Sequence, residues 1–173
     1  MKRIAKFEKV SFKQFAKDWA NSFPCCSMNN IVKIYENIQL PKRATTHSAG
    51  YDFYSPIDFV LNPGETIKIP TGIHVEMDEG WVLKCYPRSG LGFKYRLQLN
   101  NCVGIIDGDY IFSDNEGHIF AKLTNDTNEN LVLKVNSGEG FMQGVFVEYG
   151  ITIDDEVTEK RNGGFGSTTK TKE

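Results

Sequence analysis

The spacing of hydrophobic positions changes near Asn30, and each side of that point predicts a different kind of structure. From Ser11 to Phe23 apolar residues recur every three or four positions, which places them on one face of an α-helix. That face is formed by Phe12, Phe15, Ala16, Trp19 and Phe23, and the opposite face carries Lys13, Lys17 and Asp18. Ser11 and Gln14 form a capping box, and Pro24 marks a stop. We predict one short N-terminal amphipathic helix that docks by its aromatic face.

After Asn30, short segments rich in β-branched and aromatic residues alternate with turn residues, the pattern of a β-sandwich or barrel. The predicted strands cover residues 66–69, 72–77, 81–86, 131–135 and 145–149, with turns at 62–64, 78–80 and 136–138. This half of the chain has no long helical pattern between strands and no GxxxxGK[ST] loop, so a doubly wound nucleotide-binding fold is disfavoured. We predict an all-β fold.

Composition and charge narrow the class of protein. At 173 residues, with 40% hydrophobic and 24% charged residues, the chain fits one globular domain. A formal net charge of −2 and dispersed Lys and Arg argue against a nucleic-acid surface and favour a small ligand. The chain has no apolar signal segment and no run near the ~20 apolar residues of a membrane span, so a cytoplasmic location is expected. The 4 cysteines and 3 histidines form no CxxC or HExxH motif, which argues against a metal or redox site.

Two glycine-containing clusters are candidates for phosphate binding. Residues 86–92 read YPRSGLG, where the Ser89 hydroxyl, backbone N–H groups and the charge of Arg88 suit an anion. The same heptapeptide also fits a plain turn followed by a helix cap. Residues 138–144 read GEGFMQG, and the amide of Gln143 can bond a phosphate or a neighbouring loop.

Two further clusters carry candidate catalytic and lid residues. Residues 101–110 read NCVGIIDGDY, a predicted hairpin in which Asp107, beside bound phosphates and a metal, can accept a proton from water. An ordinary Asp-Gly turn is the alternative. Residues 161–168 read RNGGFGST, typical of a lid in which Phe165 stacks on a base while Ser167 and Thr168 bind the terminal phosphate.

Together with Ala49-Gly50-Tyr51-Asp52, these clusters resemble, in content and order, the five motifs of the homotrimeric dUTPase family. The strings PRSG, GIIDGDY and GGFGST are nearly intact, and the resemblance runs from about Ile31 to Thr168. It implies a jelly-roll-like β-barrel of the β-clip type, three copies of which share active sites that hydrolyse dUTP to dUMP and pyrophosphate. Residues 1–30 would be an N-terminal extension with one helix, 31–158 the barrel, and 159–173 a flexible lid that closes a neighbouring subunit's site.

The resemblance also implies a role for each matched residue. Asp107 is the general base for the water that attacks the α-phosphorus. The phosphate contacts are Arg88, Ser89, Gly90, Gln143, Arg161, Ser167 and Thr168. The base and deoxyribose contacts are Asn101, Gly104, Ile105, Ile106, Tyr110 and Phe165, of which Tyr110 excludes a 2′-hydroxyl. Mg²⁺ is expected on the triphosphate with no direct protein ligand, and Asp52 is expected to reach it through water.

Three features depart from the family pattern. Gly140 stands where the fourth motif usually carries a cation, so the usual partner of Asp109 must be replaced or missing. A polar loop from Ile111 to His118 is inserted after the third motif. The fifth motif is shortened before its paired glycines, so Lys160 and Arg161 are rival candidates for the γ-phosphate contact.

Two alternative functions fit parts of the sequence. A dCTP deaminase shares the barrel and the trimer, but its catalytic Glu lies in a different pattern from GIIDGDY. A regulatory protein switched by dUTP would contact its protein partner through the N-terminal helix or the Ile111–His118 loop.

Overall fold

The computed structural model describes residues 2–159 and 161, and strands dominate that part of the chain. The strands are β1 (Ala5–Lys9), β2 (Lys42–Arg43), β3 (Tyr51–Tyr54), β4 (Phe59–Leu61), β5 (Thr66–Pro70), β6 (Ile73–Met77), β7 (Trp81–Pro87), β8 (Leu97–Leu99), β9 (Gly104–Ile106), β10 (Phe120–Asn125), β11 (Leu133–Val135) and β12 (Gly140–Glu148). The helices are α1 (Phe12–Ser22), α2 (Met28–Asn37), α3 (Ser89–Tyr95) and a 3₁₀-helix, η1 (Gly108–Phe112). The prediction of an all-β fold with a short N-terminal helix is confirmed.

Antiparallel pairing arranges these strands in four sheets. The largest sheet has the order β2-β3-β12-β7-β9, and the smaller ones are β5-β10-β8, β1-β6 and β11-β4. All five predicted strands are present, although the last one is the end of β12, which begins at Gly140. Gly64, Gly80 and Gly138 have φ values of 82°, 82° and 83° in the three predicted turns, a conformation that favours glycine.

One hydrophobic core joins the sheets and α1. Ile69, Leu83 and Phe141 are fully buried within it, and Phe15 and Trp19 from α1 are buried beside them. The predicted docking of α1 by its aromatic face is therefore confirmed. Within the described residues, no helix has the length and apolar character needed to cross a membrane.

The N-terminal region holds more than the single predicted helix. β1 pairs with β6 from Ala5↔Met77 to Lys9↔Ile73. The sequence pattern predicts neither β1 nor α2. Most apolar residues of α2 lie just after Asn30, where the helical spacing gives way to the pattern read as strands. The signal that could have found α2 is Ser27, whose hydroxyl accepts the N–H of Asn30 at 3.4 Å as a helix cap.

The predicted capping box at α1 is only half formed. The Ser11 hydroxyl accepts the N–H of Gln14 at 3.2 Å, as predicted. The Gln14 side chain does not reach back to Ser11, because it donates to Asp18 at 2.7 Å. Asp18, which the sequence places with Lys13 and Lys17 on the face opposite the aromatic residues, is buried and only 9% exposed.

Candidate functional site

β12 brings three of the predicted motifs together on one sheet. Gln143 lies in register with Asp52 of β3 on one side and Tyr86 of β7 on the other. Its side-chain amide donates to the carbonyl oxygen of Pro87 at 3.4 Å. A Cβ at Gly50 would stand 2.8 Å from Oε1 of Gln143, so a side chain at position 50 would displace this amide. The first, second and fourth motifs thus form one cluster, as phosphate binding requires.

Arg88 supplies the positive charge of this cluster. Its Nε lies 3.7 Å from Oδ1 of Asp52, and 48% of its side chain remains exposed to an incoming anion. A Cβ at Gly140 would stand 3.2 Å from Nη1 of Arg88, so the missing side chain leaves room for the guanidinium. Ser89 and Gly90 begin α3, and their N–H groups, the first two of the helix, have no intrahelical acceptor and can bind an anion.

The predicted nucleoside residues meet in a second cluster. Those that lie within the described residues all line one cavity of about 260 Å³, which Arg161 also lines. They are Asn101, Gly104, Ile105, Ile106 and Tyr110. This volume is below the ~300–1,000 Å³ of drug-sized ligand pockets and suits a nucleoside rather than a whole triphosphate. β9 forms the edge of its sheet, so its outer N–H and C=O groups can pair with a planar base.

Close packing shapes the floor of this cavity. A Cβ at Gly104 would stand 3.1 Å from the Cβ of Cys85, so glycine lets β9 approach β7. Burial raises the pKa of Cys85 to about 12, so this thiol stays protonated and is no nucleophile.

Asp107 directly follows Ile106, which lines the cavity, and the Arg161 guanidinium binds its carboxylate. Nη2 of Arg161 donates to Oδ2 of Asp107, and Nε donates to Oδ1 of Asp109 at 2.9 Å. The guanidinium also lies 5.7 Å from the centre of the Tyr110 ring. In this structure Asp109 therefore has Arg161 as its partner, in place of a cation at Gly140. The other lid candidates, Lys160, Phe165, Ser167 and Thr168, lie outside the described residues.

Tyr110 forms a buried wall of the cavity and is 7% exposed. Its hydroxyl donates to the carbonyl oxygen of His118 at 3.0 Å and accepts from Nδ2 of Asn115 at 2.8 Å. Burial raises the pKa of Tyr110, so the phenol stays neutral and serves as a packing surface. Nothing in the sequence indicates that Asn115 and His118 contact Tyr110, because the inserted loop has the composition of an ordinary polar turn.

A buried pair ties this loop to the N-terminal helix. His118, fully buried, shares a 2.6 Å hydrogen bond between its Nδ1 and Oδ2 of Asp18. Burial alone would raise the pKa of Asp18, but hydrogen bonds from His118 and Gln14 outweigh it and hold that pKa below its usual range.

The two clusters lie far apart within one chain. Ile106 pairs with Leu83, Asp107 follows Ile106, and Arg88 lies five residues beyond Leu83 in the opposite direction along the sheet. At about 3.3 Å per residue, Asp107 and Arg88 are separated by roughly 20 Å. The α-phosphate of one nucleotide therefore cannot meet both side chains of the same chain.

Comparisons with known proteins identify the family and the fold. The family model described as dUTPase matches residues 36–169. The deoxyuridine 5'-triphosphate nucleotidohydrolase of Lactococcus lactis subsp. lactis is 46% identical over 143 residues, which cover 80% of this chain and 94% of the relative. Among solved structures, the dUTPase from Streptococcus mutans matches with a TM-score of 0.61 and 35% identity over 86% of this chain and 98% of its own. This match confirms the jelly-roll-like fold.

A more distant structure shares the fold alone. It is a dUTPase variant from phage phi11 of S. aureus, described with a structural Mg(II) ion. It matches with a TM-score of 0.60 and 20% identity, over 91% of this chain and 98% of its own.

Proposed function

The chain belongs to the dUTPase family, and from that premise we propose that it hydrolyses dUTP to dUMP and pyrophosphate. The observation that carries this function is the cavity lined by the predicted base and deoxyribose contacts, where Asp107 follows the lining residue Ile106 and is bonded to the lining residue Arg161. The relatives support neither of the alternatives, dCTP deamination or a nucleotide-switched regulatory partner. Pyrophosphate release from a panel of deoxynucleoside triphosphates tests the proposal, and ammonia release from dCTP would contradict it.

Selection for uracil follows from the free edge of β9. Its N–H groups would donate to O4 of uracil, and its C=O groups would accept N3–H, with Asn101 beside them. Cytosine presents the opposite donors and acceptors at these atoms and would leave buried groups unpaired. Such a mismatch costs about 10⁴ to 10⁵ in discrimination at a site built for hydrogen bonding. The thymine methyl would clash with the same segment.

The proposed reaction uses Asp107 as general base. Asp107 takes a proton from water, the water oxygen bonds the α-phosphorus, and the bond from that phosphorus to the bridging oxygen breaks to release pyrophosphate. Arg88, Ser89, Gly90 and Gln143 would hold the phosphates in line. Because the triphosphate offers Arg161 a more highly charged partner, the guanidinium would move from Asp107 to the γ-phosphate, alone or with Lys160.

Mg²⁺ is part of this proposal as a companion of the substrate. Among the described residues, no three His, Cys, Asp or Glu side chains are grouped to hold a metal. The triphosphate oxygens suit Mg²⁺, which keeps several waters, and Asp52 would contact it through one of them. When bound, the ion neutralises charge on the phosphates.

We propose that the working form is a homotrimer, because Asp107 and Arg88 of one chain are too far apart to share a phosphate. Exposed apolar residues between β12 and the end of the described chain support a subunit contact. Ile151, Ile153 and Val157 are 74%, 107% and 78% exposed. The tail beyond 158 would close the neighbouring site as a lid, and the cytoplasmic location stays a prediction from the sequence.

Mixing two impaired variants tests the shared site. Asp107→Asn and Arg88→Ala chains, each strongly impaired alone, are co-expressed in equal amounts and the mixed trimers assayed. Sites built from an intact Asp107 of one chain and an intact Arg88 of another should restore roughly a quarter of wild-type turnover. Turnover no higher than the mean of the two parents would show that each site lies within one chain.

A second expected result concerns the sugar. Tyr110→Ala should admit UTP, because the ring excludes the 2′-hydroxyl sterically. The measurement is the ratio of kcat/KM for dUTP to that for UTP, which should fall well below the wild-type ratio. An unchanged ratio would remove Tyr110 from sugar selection.

A further inference from the structure

We propose that Asn115 and His118 are positioning residues for Tyr110, and that α1 holds them in place. Discrimination between deoxyribose and ribose would then depend on residues outside the nucleotide cavity. The inference rests on the proposed function, because it concerns how well that same site rejects UTP.

The Tyr110 hydroxyl is held from two sides by the loop from Ile111 to His118. It donates to the carbonyl oxygen of His118 at 3.0 Å and accepts from Nδ2 of Asn115 at 2.8 Å. Asn115 is itself fixed, because its Oδ1 accepts the N–H of Gly117 at 3.1 Å. The Tyr110 ring lines the cavity, and these contacts hold it at its hydroxyl, the end farthest from the backbone.

The loop is closed tightly on itself. Gly117 has a φ of +67°, and a Cβ there would stand 2.6 Å from the Cα of Ile111, so glycine alone fits. Successive turns are closed by the N–H of Ser113 to the carbonyl oxygen of Tyr110 at 3.0 Å, and by the N–H of His118 to that of Asn115 at 3.1 Å. The loop therefore holds the two groups that bond the Tyr110 hydroxyl in fixed positions.

The N-terminal helix anchors this loop at two points. The Glu116 carboxylate accepts the N–H of Ser11 at 2.7 Å and its hydroxyl at 2.6 Å. Nε2 of His118 accepts the N–H of Gly72 at 2.8 Å, so the ring proton must lie on Nδ1. Nδ1 then donates to Oδ2 of Asp18 at 2.6 Å, and this fixes the orientation of the buried ring.

The consequence for the sugar is mechanical. A ribose 2′-hydroxyl can enter only if the Tyr110 ring tips toward the loop, and both hydrogen bonds of the phenol oppose that movement. Losing one neutral hydrogen bond should therefore relax selection against UTP by about three- to tenfold.

Asn115→Ala tests the contact directly. We expect the dUTP to UTP ratio of kcat/KM to fall about three- to tenfold, mainly through a lower KM for UTP. The matched control is Asn128→Ala, an exposed asparagine between β10 and β11. In a Tyr110→Phe background the same change should leave the ratio unaltered, since the shared hydrogen bond is already absent. A merely structural role would lower thermal stability equally in both backgrounds and leave the ratio unchanged.

The helix anchor has its own pair of variants. Asp18→Ala removes the acceptor for His118 and should lower the ratio in the same direction. Asp18→Asn keeps an acceptor oxygen for His118, so its dUTP to UTP ratio should lie between that of Asp18→Ala and that of the wild type. Equal ratios in both variants and the wild type would overturn the role of the helix.

The remaining outcomes are equally decisive. An unchanged ratio in Asn115→Ala, or an equal fall in the Tyr110→Phe background, overturns the proposal. If Asn115→Ala fails to fold, Tyr110→Phe alone tests the proposal, because it keeps the ring and removes both hydrogen bonds of the phenol. An unchanged dUTP to UTP ratio in Tyr110→Phe then overturns the proposal. Wild-type protein that hydrolyses no dUTP would contradict the proposed function instead, so the two failures are distinguishable.

Discussion

Asp107→Asn is expected to lower dUTP turnover by about 10² to 10⁴, equivalent to about 3 to 5 kcal/mol of barrier, while the protein keeps its fold and binds nucleotide. The amide has nearly the shape of the carboxylate but cannot accept the proton of the attacking water. Asp107 directly follows β9, and its side chain is 46% exposed, so it is accessible to water and substrate. The fold should persist, because no core contact depends on this exposed carboxylate.

Three measurements separate chemistry from structure in this variant. Turnover of dUTP gives the loss, binding of a non-hydrolysable dUTP analogue should be retained, and thermal unfolding should match the wild type. Asp114→Asn is the matched control, because it makes the same chemical change at an exposed position of the neighbouring loop. Turnover of Asp107→Asn within threefold of the control would exclude Asp107 as general base.

A chain that ends at Thr158 is expected to remain a folded trimer that binds dUMP. Its turnover of dUTP should fall by about 10²-fold or more, because the reacting groups would no longer be held in position. The family model extends to residue 169, so the fifth motif belongs to the family domain. Truncation removes Arg161, which contacts Asp107 and Asp109 at the cavity rim. It also removes Phe165, Ser167 and Thr168, the predicted contacts with the base and γ-phosphate. dUMP lacks the β- and γ-phosphates, so its affinity should barely change.

The control for this truncation is a chain that ends at Thr169, which keeps the whole matched family domain and loses only the last few residues. It should turn over dUTP like the full chain. Size-exclusion chromatography checks the oligomer of both truncated forms. Normal dUTP turnover by the shorter chain would contradict both the lid and the closing of one subunit's site by another.

The sequence alone determined the fold class and the residues of the two clusters. Strand spacing, turn glycines and the aromatic face of α1 are local patterns, set by backbone sterics and by the period of each element. The motifs are contiguous strings as well, so the sequence alone identifies Arg88 with Ser89, and Gly104 to Asp107, without reference to their contacts. Local patterns were weakest for α2, where helix and strand composition overlap.

Only the tertiary structure decided which of these residues meet. The register of β12 joins Asp52 with Gln143, and the register of β9 on β7 sets Asp107 apart from Arg88. The contacts of Asp18 with His118 and of Ser11 with Glu116 span 100 and 105 residues. No periodicity extends over such distances, because these contacts arise from strand pairing and core packing of the whole chain rather than from the preferences of neighbouring residues.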